Sequence, residues 1–162
     1  MKDTATLAGF IAAHAIWSIA DGETLVPILA FTKSDHTREM TRLEGSDLTA
    51  AVQDGRRWLA GNPDQVQRAV LVYDGYASAQ SGQKTDALII ETRTYGETPG
   101  EFTMTLPYRS PRHHLGLAIY RPAFVVLADG DQLKSLSDAF FKGVNQHREA
   151  APVWKKHFDP SR

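Results

Sequence analysis

The first apolar stretch of the chain has helical periodicity and is apolar on two sides. Residues 4–20 contain no proline and no acidic or basic side chain apart from one histidine. At about 100° per residue, one stripe collects Leu7, Phe10, Ile11, His14, Trp17, Ser18 and Asp21. The opposite side carries Ala8, Ala12, Ile16 and Ile19. A helix that is apolar all round is buried on two sides. We therefore expect one flank against this chain's sheet and the other against a second helix or a second copy of the chain.

A second helix is predicted over residues 47–60. Ser46 is a suitable N-cap, because its hydroxyl can accept a hydrogen bond from a free backbone N–H of the first turn. The apolar stripe consists of Leu48, Ala51, Val52, Gly55, Trp58 and Leu59. Gly61 ends the helix, and Asn62-Pro63 forbids its continuation.

The last predicted helix is opened by Gly130-Asp131. Its apolar stripe consists of Leu133, Leu136, Phe140, Val144 and His147. Pro152 ends this helix, because proline lacks the backbone N–H that a helix interior needs. Residues 153–158 add a terminal turn.

Strands are predicted between these helices, at residues 25–31, 39–43, 68–76, 85–95, 101–108, 115–120 and 123–128. The continuous apolar runs 70–72 and 88–90 are typical of central strands covered on both faces. The alternation over 102–108 indicates a half-buried strand. Because the connections are short, we expect an antiparallel meander and not parallel crossovers.

This order of elements predicts the α+β class. We expect one domain over residues 1–162, with a mainly antiparallel twisted sheet of about five to seven strands. Three main helices pack mostly on one face of that sheet. The length of 162 residues suits a single domain with a core large enough to need no disulfide.

Charge and cysteine content exclude several kinds of partner and site. The formal net charge of −1 provides no field that attracts nucleic acid or an anionic membrane, so we expect neither as a partner. The chain has no cysteine, which excludes disulfides, thiolate metal sites and a cysteine nucleophile. We expect no metal and no cofactor. A cytoplasmic location is predicted, with a cleaved secretory signal in the opening segment as the weaker alternative.

Recognisable catalytic motifs are missing from the sequence. Residues 81–85 (SGQKT) resemble a phosphate-binding loop but fail its spacing, because Gln83 separates Gly82 from Lys84. They also lead into a strand, whereas phosphate binding uses a following helix N-terminus. Zinc-peptidase, nucleophile-elbow and dinucleotide motifs are absent as well. Whether the chain is an enzyme stays open, and the sequence favours a protein that is not one.

The most suggestive stretch for ligand binding is basic. No acidic residue occurs over 102–128, whereas Arg109, Arg112, His113, His114 and Arg121 do. Such a cluster can bind phosphate or carboxylate, with arginine as a bidentate donor and histidine as an adjustable charge. The alternative is an exposed, solvated loop between two strands.

His14 lies at the centre of the first helical stripe and is predicted to be a core residue. Asp21 is two turns away, about 10 Å along the axis, which is too far for a direct hydrogen bond. Buried histidines ordinarily find a hydrogen-bond partner and need no other role. Glu23 in the following turn is a weak candidate for a base or a metal ligand.

Three segments carry a resemblance to known sequences: DGETLVPILAF (21–31), DGRRWLAGNP (54–63) and RAVLVYDGY (68–76). Together they resemble stretches of small uncharacterised bacterial proteins of the domain-of-unknown-function kind. The resemblance implies a bacterial cytosolic origin. It implies no activity and no functional residues.

Two functions from different classes are predicted. The first is a non-catalytic binding or assembly module, homodimeric through the first helix. The alternative is a small-molecule enzyme or ligand-binding protein for an anionic compound. In that case Arg109, Arg112, His113 and His114 orient the compound, and Glu91 or Asp74 serves as base.

Overall fold

A computed structural model describes residues 1–78, 82–127 and 132–161 of the chain. Its elements are α1 (Lys2–Ile19), β1 (Ile28–Thr32), β2 (Arg38–Arg42), α2 (Leu48–Gly61), β3 (Arg68–Ser78), β4 (Lys84–Thr94), β5 (Gly100–Arg109), β6 (Ala118–Ile119), β7 (Ala123–Leu127), α3 (Leu133–Gln146) and α4 (Ala150–His157). The predicted α+β class is confirmed, and the described residues contain four helices in place of the three main helices expected.

The strands form one seven-stranded sheet in the order β2-β1-β3-β4-β5, and β6 and β7 both pair with β5. Each pairing between strands is antiparallel, as the short connections predicted. Residues 70–72 of β3 are fully buried. They face helices on both sides, as their continuous apolar run predicted. β2 lies at one edge of the sheet, and all five of its residues are exposed.

Helix α1 is the centre of the larger core. It lies on the sheet over β1, β3 and β4, and α3 and α4 pack against it as well. Two glycines bring α1 and α3 together backbone to backbone. A Cβ on Gly9 would stand 1.9 Å from the carbonyl oxygen of Phe140, and one on Gly143 would stand 1.9 Å from that of Thr6. The second apolar flank of α1 is thus covered by helices of the same chain.

Helix α2 covers the other face of the sheet. Leu59 packs with Leu29 and Leu71 in a second, smaller core. Gly55 lets the helix approach, because a Cβ there would lie 2.7 Å from the side chain of Leu71. Three helices therefore cover one face and α2 the opposite one, in agreement with the prediction of mostly one face.

The N-cap of α2 is Asp47 and not Ser46. The Asp47 carboxylate accepts from the backbone N–H of Thr49 at 2.9 Å and of Ala50 at 3.2 Å. The C-cap is Asn62, which adopts the left-handed conformation with φ of 42°. Asparagine tolerates this region better than most residues. The predicted helix was therefore displaced by one residue at each end.

The C-terminal helix is divided, contrary to the sequence prediction. The predicted opening at residues 130 and 131 lies outside the described residues, and α3 begins at Leu133. It ends before His147, and α4 follows from Ala150. Pro152 does not end a helix but lies in the first turn of α4, where its missing N–H has no intrahelical role. The predicted strand 115–120 is reduced to the two residues of β6.

Candidate functional site

His14 of α1 forms a hydrogen-bonded pair with His147 at the end of α3. Nδ1 of His14 lies 2.9 Å from Nε2 of His147. The backbone N–H of Ala150, at the start of α4, donates to Nδ1 of His147 at 3.2 Å. Nδ1 of His147 is therefore an acceptor, so its proton is on Nε2 and is donated to His14. His14 has the hydrogen-bond partner that was expected, but it is half-buried and does not belong to the fully buried core.

Burial favours the neutral form of both histidines. Burial lowers the pKa of His14, and the charges of His147 and Arg42 lower it further against an opposing effect of Glu149. Burial also lowers the pKa of His147, which is 6% exposed, again against Glu149. The proton on Nε2 of His14 is buried and has no acceptor among the described residues. The pair therefore joins three helices but leaves one donor unsatisfied.

A surface of aromatic, thioether and guanidinium groups lies beside this pair. Trp17 of α1 is 42% exposed and Met40 of β2 is 41% exposed. The Arg38 guanidinium lies 4.2 Å from the centroid of the Phe10 ring. Trp17 and Arg42, together with other residues, line a cavity of about 500 Å³. We name Trp17, Arg38, Met40 and Arg42 the edge patch.

The two arginines of the edge patch form no ion pair within 4 Å among the described residues. Asp21 lines the same cavity as Arg42 but does not pair with it. Burial lowers the pKa of Arg38, whose guanidinium is partly withdrawn from water against Phe10. A partly desolvated cation without an ion-pair partner is stabilised when a carboxylate approaches it. In the sequence, the edge patch is visible only as the alternation Arg-x-Met-x-Arg over residues 38–42. That alternation predicts a strand but does not identify a binding site.

The basic segment predicted as a ligand site forms an exposed loop after β5. Nε of Arg109 donates to the carbonyl of Gly116 at 2.8 Å, and Nη2 donates to that of Leu115 at 3.2 Å. The rings of His113 and His114 are 4.2 Å apart. Slight desolvation and the charges of His114 and Arg109 lower the pKa of His113. Arg109 therefore stabilises the loop that displays the two histidines.

The remaining two predicted residues point elsewhere. Arg112 covers the turn between α1 and β1, where a Cβ on Gly22 would lie 3.2 Å from its Nε. Gly22 has a φ of +95°, which favours glycine there independently of this contact. Arg121 is exposed in the connection between β6 and β7. The structure thus brings Arg109, His113 and His114 together in one loop.

The two candidate bases lie on opposite faces of the sheet. Glu91 faces α2, where Arg56 holds it through Nε at 2.9 Å and Nη2 at 2.6 Å. Tyr73 donates to it at 2.6 Å, and burial raises the pKa of Tyr73 well above its usual range. Asp74, the next residue along β3, faces the α1 side and accepts from Tyr108 at 2.9 Å. Burial raises the pKa of Asp74 against that hydrogen bond.

Glu91 and Asp74 therefore cannot serve the same site, and Glu91 is engaged in an ion pair.

In the part of the chain that the structure describes, no group of three or more His, Cys, Asp or Glu side chains is placed to hold a metal ion. In the same ranges, no helix combines the length and apolar character needed to cross a bilayer.

No family model matches the chain, and neither a curated protein nor a solved structure matches it. The resemblance of segments 21–31, 54–63 and 68–76 to small bacterial proteins therefore stays a prediction.

Proposed function

We propose that this chain is a non-catalytic binding module that docks an extended, acidic segment of another protein along β2. The observation that carries the proposal is the edge patch beside an unpaired strand edge, with two arginines that form no ion pair in the described ranges. Trp, Met and Arg are the residue types enriched in protein interfaces. An exposed strand edge offers backbone hydrogen bonds to an added strand.

The positions along β2 define the chemistry of the partner. Arg38, Met40 and Arg42 alternate along the strand and so share the face that α1 occupies. The two arginines are four residues apart, about 13 Å along a strand. An antiparallel strand added to β2 places one acidic residue opposite each arginine and an apolar residue opposite Met40. The partner segment therefore has the pattern acidic-x-apolar-x-acidic. Opposite charges placed directly across a ladder are stabilising.

A second copy of β2 is a poor match for this edge. In the antiparallel register that pairs the whole strand, Met40 lies opposite Met40 and Arg38 lies opposite Arg42. Like charges in directly opposite positions are destabilising. The repulsion between these arginines disfavours pairing of β2 with a second copy of itself, as charged residues on edge strands commonly do.

The homodimer expected from the apolar first helix stays a prediction. That expectation assigned the second flank of α1 to a second helix or a second copy, and α3 occupies it. A dimer therefore needs a different surface. Light scattering at micromolar concentration tests it, since a dimer has twice the chain mass of 17.9 kDa. A monomeric mass contradicts the homodimer and leaves the binding module intact.

The alternative of a site for anionic compounds in the 109–121 segment has less support. Arg109 donates to two carbonyls of its own loop, and Arg112 covers the α1–β1 turn. The exposed pair His113 and His114 is then left without the arginines that were expected to orient the compound.

A peptide titration tests the binding module. The probe is a short peptide in which two glutamates flank a central valine at a spacing of two, and the control peptide has lysines in place of the glutamates. We expect the acidic peptide to shift the backbone amide resonances of residues 38–42. The double variant Arg38→Gln/Arg42→Gln weakens binding about tenfold or more, because both charge pairs are lost.

A matched variant separates local recognition from overall charge. Arg121→Gln/Lys134→Gln removes the same two charges from exposed positions away from β2. We expect it to bind the acidic peptide like the unmodified protein. Equal weakening in both variants, equal binding of the lysine peptide, or shifts that avoid β2 would overturn the proposal.

A further inference from the structure

A groove lies between α3 and α4, on a part of the surface that shares no residue with the edge patch. It encloses about 700 Å³. Its aromatic walls are Phe141, Trp154 and Phe158, whose ring centroids are 5.8 to 6.5 Å apart in pairs. Phe158 is fixed to the sheet through its bridge to Ile119. The walls therefore form a preformed apolar surface.

Trp154 lines this groove and carries a buried polar group. It is only 4% exposed, and its Nε1 has no hydrogen-bond acceptor among the described residues. Buried Trp N–H groups ordinarily have a partner, which can be an ordered water. The indole N–H therefore serves as a spectroscopic reporter of what binds beside it.

Two cations stand at the rim of the groove. Arg148 and Lys155 line it and are exposed. In the described ranges neither forms an ion pair with a carboxylate. The groove thus combines aromatic walls with two rim cations that have no carboxylate partner among the described residues.

We propose that the groove between α3 and α4 binds a small anionic amphiphile, a carboxylate carried on an aliphatic or aromatic body. The body packs against Phe141, Trp154 and Phe158, and the carboxylate pairs with Arg148 and Lys155. A volume of about 700 Å³ lies within the range of small-molecule pockets, which are mostly apolar with a few polar groups that fix orientation. Arginine gives a carboxylate bidentate hydrogen bonds, which adds geometric specificity to the charge.

The α4 wall sets the length of the probe. It has eight residues, which is about 12 Å of helix. That length accommodates an extended chain of about ten carbons. The acidic peptide probe described above is retained as a competitor in the test.

The probes are decanoate below its micellar concentration and 1-decanol, which has the same chain length without the charge. Titration calorimetry of the full chain measures both. We expect one decanoate per chain, bound about tenfold or more tightly than decanol, because the alcohol cannot pair with the cations. In a spectrum of indole N–H groups, decanoate shifts the Trp154 resonance, assigned with Trp154→Phe, more than those of Trp17 and Trp58.

A matched pair of double variants tests the cations. Arg148→Gln/Lys155→Gln alters the rim, whereas Lys142→Gln/Lys156→Gln removes two exposed charges from the same helices outside the groove. The first variant loses the preference for decanoate over decanol, and the second keeps it. Both are surface substitutions, and retention of decanol binding shows that the groove is intact.

Three results would overturn the proposal. They are no saturable decanoate binding, equal affinity for decanoate and decanol in the unmodified chain, and equal loss of decanoate binding in the two double variants. Binding of the acidic peptide at this groove without decanoate binding would assign the groove to a protein partner, which also contradicts it.

Discussion

Gly143 of α3 lies against the backbone of Thr6 in α1, so closely that a Cβ would stand 1.9 Å from the Thr6 carbonyl oxygen. The reciprocal contact joins Gly9 to Phe140. Only glycine permits this approach, and the two contacts place α3 on the apolar flank of α1. The junction of these helices also contains the His14–His147 pair.

The first prediction concerns this helix crossing. Gly143→Ala places a methyl group against the backbone of α1, which cannot shift unless the whole helix moves. Overpacking of this kind lowers the free energy of unfolding by about 3 kcal/mol or more. The control is Gly61→Ala at the end of α2, where a Cβ meets nothing within 4 Å. Because alanine is the better helix former, we expect the control to gain up to about 0.5–1 kcal/mol. Urea unfolding measures both, and equal stabilities would contradict the close crossing.

The second prediction is a loss of stability in mild acid. The pKa values of His14 and His147 are lowered in the folded chain, so the unfolded chain binds more protons below pH of about 6.5. The free energy of unfolding therefore falls as the pH drops below this value, and this contribution levels off below the folded pKa values. Arg38 and Arg42 of β2 oppose protonation of the pair, whereas Glu149 at the start of α4 favours it.

Urea midpoints between pH 8 and 5.5 measure this effect before most carboxylates titrate. His14→Gln/His147→Gln has a shallower dependence on pH. His36→Asn is the control, since His36 is exposed in the β1–β2 turn with a positive φ that asparagine tolerates. It retains the slope of the unmodified chain. A double variant that also retained the full slope would show that other groups cause it.

The third prediction distinguishes the observed cap of α2 from the predicted one. Asp47→Ala removes the carboxylate that accepts from Thr49 and Ala50, and loss of an N-cap costs about 1 kcal/mol. Ser46→Ala, one residue earlier, leaves the free energy of unfolding unchanged within error. Thermal or urea unfolding compares them. The reverse order of stabilities would restore Ser46 as the cap.

The fourth prediction compares neighbouring arginines of α2. Arg56 binds Glu91 through two nitrogens and also reaches Tyr73, so Arg56→Gln leaves a largely buried carboxylate without its cation. We expect a loss of about 1–2 kcal/mol, since a partly exposed pair is weakened by solvent. Arg57 pairs with the exposed Asp54 one turn away. Arg57→Gln therefore serves as the control, with little change in the urea midpoint.

Local patterns were sufficient to predict most of the elements and the class of the fold. The apolar run of α1, the stripe of α2 and the alternation of β5 each depend on neighbours within a few residues. The choice between Ser46 and Asp47 as cap failed because both side chains can accept the hydrogen bonds. The backbone conformation at each position decides between them.

Contacts between distant residues account for what the sequence did not predict. The break between α3 and α4 occurs where His147 accepts from Ala150 and donates to His14, which is more than a hundred positions earlier. The stripe of α3 included His147, but no local pattern identifies its partner. Likewise, Arg38 and Arg42 of β2 form a candidate site only because the fold places Phe10 and Trp17 beside them.

The placement of α3 against α1 has a consequence for biosynthesis. More than a hundred residues separate the end of α1 from the start of α3. At ribosomal rates of about 5–20 residues per second, the apolar flank of α1 stays without α3 for roughly 6–20 s. During that interval the nascent chain presents the kind of surface that chaperones bind. Its yield in cells is therefore expected to depend on them more than the stability of the finished fold suggests.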